Sequence, residues 1–339
     1  MGQLKRIGLV CLLLLWPRPL FSQQLGKDWG QAAAHVGWAS AGEAVVHDGR
    51  IWIFAWPAFP TPRSSEVWYS SDGATWTSAT LSAPWHDRVG FTPLAFDGRI
   101  WIFGGSYEIQ GSHGVGFLND VWYSSDGVKW TSASLSAPWG PRTGHTSVVF
   151  GGKMWVIGGH IAQSPYCKND VWCSLDGVAW TSATLSALWA PRGSHASVVF
   201  DGKIWVIGGL DDTFHYKNDV WCSSDGVTWT SATLSAAWAP RYSHASVVHE
   251  GRVWVMGGGV LDQPWNNDVW YSSDGAYWTS ATLSATWPPR AGQAAVVYDD
   301  RIWIMGGTYG YMPRIGDLND VWYSPGLYSV GVRSWRLYP

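Results

Sequence analysis

Apolar residues along this chain gather into runs of about five, cut by Asp-Gly or Gly-Gly pairs, and the runs return every 49 to 54 residues without helical periodicity. One unit reads WxPRxxHxSVVFDGKIWVIGG, then a variable stretch, then NDVWYSSDGVxWTSATLSA. Four short strands are visible in it. Strand a is SVVF, and the Asp-Gly that follows, as at Asp97-Gly98 and Asp201-Gly202, is two-residue hairpin chemistry because both central residues need positive φ. Strand b is KIWVI, ending at a glycine pair such as Gly158-Gly159 or Gly208-Gly209, where a side chain would obstruct a close approach or an unusual dihedral. Strand c is DVWYS, followed by a Ser-Asp-Gly turn, and strand d is WTSAT.

Tryptophan marks the period. Of 28 tryptophans, 24 fall into four columns of six. The first is Trp52, Trp101, Trp155, Trp205, Trp254 and Trp303, and the second is Trp68, Trp122, Trp172, Trp221, Trp270 and Trp322. The third and fourth run as pairs, Trp76/Trp85, Trp130/Trp139, Trp180/Trp189, Trp229/Trp238 and Trp278/Trp287, with a sixth pair far upstream at Trp29/Trp38. Six units of four strands predict an all-β fold, a six-bladed β-propeller of four-stranded antiparallel blades. A lone sheet of this size cannot bury both faces, whereas stacked sheets bury tryptophans between them. The last unit stops near Trp322 without a fourth strand, and GKDWGQAAAHVGW near the N-terminus aligns with the missing piece. The segment around Trp29 is therefore expected to complete the last blade and close the ring, with Trp335 of the tail a weaker candidate for the same slot.

The glycine pair after strand b, then a Tyr and, after six intervening residues, a Trp, as in Tyr123/Trp130 and Tyr271/Trp278, resembles the kelch repeat. The resemblance covers about residues 26–324. Repeat one departs from it, with Ala55-Trp56 in place of the glycines, and repeats three and four carry Cys173 and Cys222 at the Tyr position.

Composition narrows the picture further. Charged residues make up 14% of the chain and the formal net charge is −3, which disfavours nucleic acid or an anionic membrane as partner. Lys5 and Arg6, the apolar run from Ile7 to Trp16 and the stretch from Pro17 to Ser22 read as a signal peptide, so the chain is expected to be secreted or periplasmic. The run is too short to span a bilayer, and no later stretch does so. The expected organisation is signal peptide 1–22, propeller 23–324 and tail 325–339, with repeats at about 39–85, 86–139, 140–189, 190–238, 239–287 and 288–324 plus 26–38. Cys173 and Cys222 substitute for an aromatic at positions too far apart to bond, while Cys167 with Cys173 stays open.

Divergence between the copies points to one face. The a–b and c–d turns are nearly invariant, but the b–c connections, 55–66, 106–118, 160–168, 210–217, 259–266 and 308–318, all differ. They carry Trp56, Phe59, Tyr107, Phe117, Tyr166, Phe214, Tyr216, Trp265, Tyr309 and Tyr311. Such rings suit a protein or glycan ligand, or alternatively pin the loops.

On the same face the d–a connection carries Arg88, Arg142, Arg192, Arg241 and Arg290. In kelch propellers that bind peptides, arginines two residues before a Gly line the central pocket; Arg88, Arg142 and Arg290 keep that Gly, and Ser replaces it after Arg192 and Arg241. An arginine ring would favour a carboxylate-bearing ligand. The alternative is that each Arg braces the neighbouring blade through backbone carbonyls.

His145, His195 and His244 recur at one position, but equivalent positions on adjacent blades lie ~10 Å apart, which argues for packing and against a metal. No cofactor is expected. SSDGVKW resembles the Asp-box of sialidases, where that motif is structural, and no copy-specific catalytic set accompanies it. The expected function is an exported binding scaffold. The alternative is an enzyme on acidic sugars, similar to the kelch-like sialic acid mutarotases, using the arginines with Glu108, Asp211 or His215.

Overall fold

The computed structural model describes residues 29–38, 40–56, 65–85, 87–109, 114–311 and 314–325. The signal-peptide reading, the b–c stretch with Phe59 and the tail with Trp335 lie outside the described residues.

Every described regular element is a strand, and each blade has four, antiparallel and in the order a-b-c-d. In blade 3 these are Thr146–Phe150, Lys153–His160, Cys167–Ser174 and Trp180–Thr184. The a–b hairpin closes with Phe150 opposite Lys153. In blade 2 the turn residues Asp97 and Gly98 have φ of 49° and 66°, the left-handed pair that a tight hairpin needs. Blade 4 adds a two-residue strand, Arg192–Gly193, and the b–c connection of blade 6 folds into a hairpin of Thr308–Tyr311 and Arg314–Asp317.

The a strands succeed one another around a ring. Ser40–His47 neighbours Thr92–Phe96, and the sequence runs through Thr146–Phe150, Ala196–Phe200 and Ala245–His249 to Ala294–Tyr298, which neighbours Ser40–His47 again. In blade 6, strands Ala294–Tyr298, Arg301–Met305 and Val321–Tyr323 are followed in the fourth position by Gly30–Ala33. There Gly30 stands opposite Tyr323 and Gln31 opposite Trp322. Asn319 then donates to the Val36 and Trp38 carbonyls, as Asn169 of blade 3 does to those of Ala187 and Trp189.

The core lies between blades. Trp101, Phe103 and Val121 of blade 2 pack against Met154 and Val156 of blade 3, and similar clusters fill the other interfaces. Each fourth-column tryptophan meets a third-column one of the next blade edge to face, as Trp139 meets Trp180 at 6.0 Å and Trp189 meets Trp229 at 5.8 Å. Trp29 and Trp38 enter the same array, against Trp287 and Trp76.

First-column tryptophans work differently. The Trp155 indole N–H donates to the Phe150 carbonyl at 2.8 Å, and the ring covers Gly226 in the c–d turn of the next blade. A Cβ on that glycine, whose φ is +74°, would overlap the ring. The turn itself is built by Ser and Asp: Ser223 Oγ accepts from the Gly226 N–H, and Asp225 Oδ1 from the N–H groups of Val227 and Thr228.

Cys167, Cys173 and Cys222 are free and buried, so the open Cys167–Cys173 pairing does not form.

Candidate functional site

Strand direction places the b–c and d–a connections at one end of the ring, and the entry to each a strand at the same end. The glycine pairs set the geometry there. Gly158, with φ +57°, stands where a Cβ would crowd the Arg192 carbonyl and the His195 ring of the next blade at 3.0 and 3.1 Å, and it sits where the b–c register slips.

The five arginines point away from the axis and into the blades. Arg142 Nη1 donates to Asp170 Oδ1 at 2.7 Å and to the Gly158 carbonyl at 2.8 Å, and Nη2 donates to Asp170 Oδ2 at 2.9 Å. Arg88–Asp120, Arg192–Asp219, Arg241–Asp268 and Arg290–Asp320 repeat the pair, and all five guanidinium side chains are fully buried. Each aspartate also accepts an indole N–H from the strand-c tryptophan two residues on, as Asp170 does from Trp172. The expectation of an arginine-lined pocket for a carboxylate is therefore corrected: every guanidinium already holds a carboxylate, its own repeat's Asp. The bracing alternative is corrected in detail too. The guanidinium ties its own blade together, and the backbone carbonyl reaches the neighbour, as Arg142 O accepts from the Gly105 N–H at 2.8 Å.

The loop aromatics are dispersed and do not form one cluster at the axis. Trp265 is buried beside Tyr242, with ring centroids 5.9 Å apart, and Tyr216 also packs on Tyr242, at 5.5 Å. The Tyr216 hydroxyl accepts from the Leu261 N–H. Tyr107 covers Gly116 and Tyr309 covers Gly316 on the strands opposite, and Tyr107 borders a side cavity of about 150 Å³ with Glu108 and Arg88. Tyr166, Phe214 and Tyr309 are exposed, at 49%, 70% and 49%. For the others pinning the loops accounts for the ring, and the three exposed rings are left as contact surface. The side chains of Trp56 and Tyr311 lie outside the described residues.

The acid–base candidates stand apart as well. Asp211 pairs with Lys217 at 2.6 Å; desolvation opposes its charge, but Lys217 and the N–H groups of His215 and Thr213 hold its carboxyl at about 2. His215 is exposed.

At the axis lies a cavity of about 310 Å³ to which all six blades contribute: Gly42 and Glu43; Gly90 and Thr92; Gly144, His145 and Thr146; Ser194 and His195; Ser243 and His244; Gly292 and Gln293. A backbone belt holds its rim. The N–H of Gly144 donates to Gly90 O, Ser194 to Gly144 O, Ser243 to Ser194 O and Gly292 to Ser243 O, at 2.7 to 2.9 Å. Ser194 and Ser243 both have φ of 52°, the left-handed conformation that Gly adopts at this place in blades 2, 3 and 6.

The histidine column lines this cavity while packing between blades, with Trp139 beside His145 and Trp189 beside His195. Thr146 Oγ1 bonds His195 Nε2 at 3.0 Å and Thr92 Oγ1 bonds His145 Nε2 at 3.3 Å. Burial pushes His145 and His244 down to about 3, with the nearby Arg142 and Arg241 charges adding to the effect, and pushes His195 well down. The imidazoles are neutral at the axis. Glu43 was missed in the sequence, and its signal was the column it stands in. The residue four places before the end of strand a is Thr or Ala in the five other repeats and Glu in the first. Burial pushes its carboxyl up to about 8.

Among the described residues no group of three His, Cys, Asp or Glu could hold a metal ion. The cavity's chemistry is that of hydrogen bonding, with one titratable acid.

A comparison with curated proteins finds no match. Among solved structures the chain is similar to one described as "Structure of YjhT", with a TM-score of 0.71 over 86% of this chain and 96% of that one, at 14% identity. That likeness is one of fold. The family model described as KLHDC2/KLHL20/DRC7 Kelch-repeats domain matches residues 43–258 and 144–325, spanning most of the chain and the repeats built above from tryptophan, glycine pair and NDVW. This protein belongs to that family of kelch-repeat propellers.

Proposed function

We propose that this chain is an exported binding scaffold whose ligand, a protein or a glycan, docks on the face of the b–c and d–a connections and places a group in the axial cavity. The observation that carries the reading is the contrast between the two kinds of polar group in the ring. Arginine, aspartate and the Ser-Asp turns are satisfied within the repeats, whereas buried polar atoms at the cavity, among them Gln293 Oε1 and both ring nitrogens of His244, have no partner. Repetition supplies a rigid wall, and the differing loops supply discrimination. Among the described residues no helix is long and apolar enough to cross a membrane.

The test uses glycan and peptide arrays with the wild-type chain, with Thr92→Phe to fill the cavity, and with loops 106–118 and 160–168 replaced by Gly-Ser. A discrete set of ligands should bind the wild type and be lost in the variants at unchanged Tm. Undiminished binding by both variants overturns the reading. Export is tested by fractionating the producing cells and sequencing the mature N-terminus, expected to begin after Ser22.

A further inference from the structure

The axial cavity is chemically lopsided. At one register position of strand a, four residues before its end, stand Glu43, Thr92 and Thr146 in blades 1 to 3 and Ala196, Ala245 and Ala294 in blades 4 to 6. Each of the two threonine hydroxyls is occupied by the histidine of the following blade. Two side chains are left wholly without a partner by this arrangement, whereas Gln293 keeps one bond from its Nε2 to the Met256 carbonyl. Glu43 precedes a blade with Phe91 at the histidine position, and no hydrogen bond or ion pair reaches its carboxyl among the described residues. His244 follows Ala196, which has no hydroxyl to offer, so both ring nitrogens are unpartnered although the residue is only 7% exposed.

Both leftover groups line the one cavity, and no Lys or Arg lines it with them. All five arginines of the ring, Arg88 and Arg290 of the blades flanking Glu43 included, are neutralised by their two-point aspartates. Burial alone raises the Glu43 carboxyl, with no neighbouring cation to lower it. A half-buried carboxyl without a counter-charge is the complement of a cationic group, since an opposite charge at contact offsets the desolvation of both.

We propose that the axial cavity is a site for a small ligand bearing a primary ammonium group, with Glu43 as its counter-charge and the neutral His244 ring bonding a further polar group of the same ligand. This rests on the axial-cavity reading above and names the ligand class. An anionic ligand would find no cation lining the cavity and would hold Glu43 in its protonated form, and an uncharged one would leave the carboxyl without an ion partner. The volume of about 310 Å³ admits a six-membered ring with an aminomethyl arm.

Benzylamine, benzyl alcohol and benzoate are matched in shape and differ in charge, which makes them the probes. They are titrated calorimetrically into the full chain as wild type, Glu43→Gln and Thr92→Phe, with Tm recorded for each. Benzylamine should bind the wild type, bind Glu43→Gln roughly tenfold or more weakly, and fail to bind Thr92→Phe. The alcohol and benzoate should bind the wild type roughly tenfold or more weakly than the amine does. Equal binding of benzylamine to Glu43→Gln, or no binding to the wild type, overturns the proposal. A preference for the alcohol or benzoate that Thr92→Phe abolishes overturns the ammonium class and leaves the axial site standing. Array ligands held undiminished by Thr92→Phe overturn the axial site itself.

Discussion

Trp29 meets Trp287 edge to face, with ring centroids 6.2 Å apart, so a residue near the start of the described chain packs on the fifth blade of the ring. Trp38 makes the same contact with Trp76 of the first blade at 6.0 Å. The N-terminal segment thus lies in two inter-blade interfaces as well as beside Val321–Tyr323. Trp29→Ala should cost about 3–5 kcal/mol, the usual range for a large buried aromatic, read as a fall in the urea midpoint. An unchanged midpoint would mean that this segment contributes nothing to closure.

Arg142 and Asp170 share two hydrogen bonds inside the blade, so removing either partner strands a buried charge. Arg142→Met should destabilise by roughly 3–5 kcal/mol, because Asp170 keeps the Trp172 N–H and loses its counter-ion. The double variant Arg142→Met with Asp170→Leu should recover part of that loss. Equilibrium unfolding in urea measures both, and a double variant weaker than the single one would contradict the account.

Two glycines with similar φ separate the effect of conformation from that of contact. Gly98, at +66°, has open space where a methyl group would stand, while Gly127, at +69°, lies under the Trp52 ring. Gly98→Ala should cost roughly 1–2 kcal/mol from left-handed strain alone. Gly127→Ala should cost that and roughly 1–3 kcal/mol more from overpacking, or leave the chain unfolded. Thermal midpoints of the two variants, compared side by side, decide the matter.

Acid and alkali should act through different residues. The folded-state pKa values of His145 and His244 lie at about 3, below those of the unfolded chain near 6.5. Their contribution to stability is present above about pH 6.5 and is lost as pH falls toward 3, each by about 1.4 kcal/mol per pH unit. His244→Gln, which installs the residue found at position 293, should flatten the pH 4–6 limb of urea midpoints. Glu43 has the opposite sense: its folded value of about 8 lies above the ordinary 4.5, so stability declines as pH rises between the two. Glu43→Gln should therefore raise Tm at pH 9 more than at pH 5.

The blade count, the hairpins and the glycine pairs were legible because each repeats under local constraint. Asp97-Gly98 must turn, Gly158 must leave room, and six copies of one phrase average away local ambiguity. The Arg–Asp pairing was also within reach. The five repeats with Arg before the glycine or serine are the five with NDVW, and repeat one, with Glu66 in SEVW, has neither member. Reading the two columns separately hid the link, because the partners are 27 to 32 residues apart and meet only across a folded blade.

The linear order of residues by itself determined a closed array of tryptophan-stapled sheets, since spacing and turn chemistry are properties of short stretches. Tertiary structure alone decided what faces the axis. An arginine side chain reaches inward or into its own sheet according to where a carboxylate has been carried, and a lone glutamate acquires meaning only when six strand ends converge. That convergence turned the expected cationic mouth into a cavity whose one ionisable acid is Glu43, with every arginine around it already engaged.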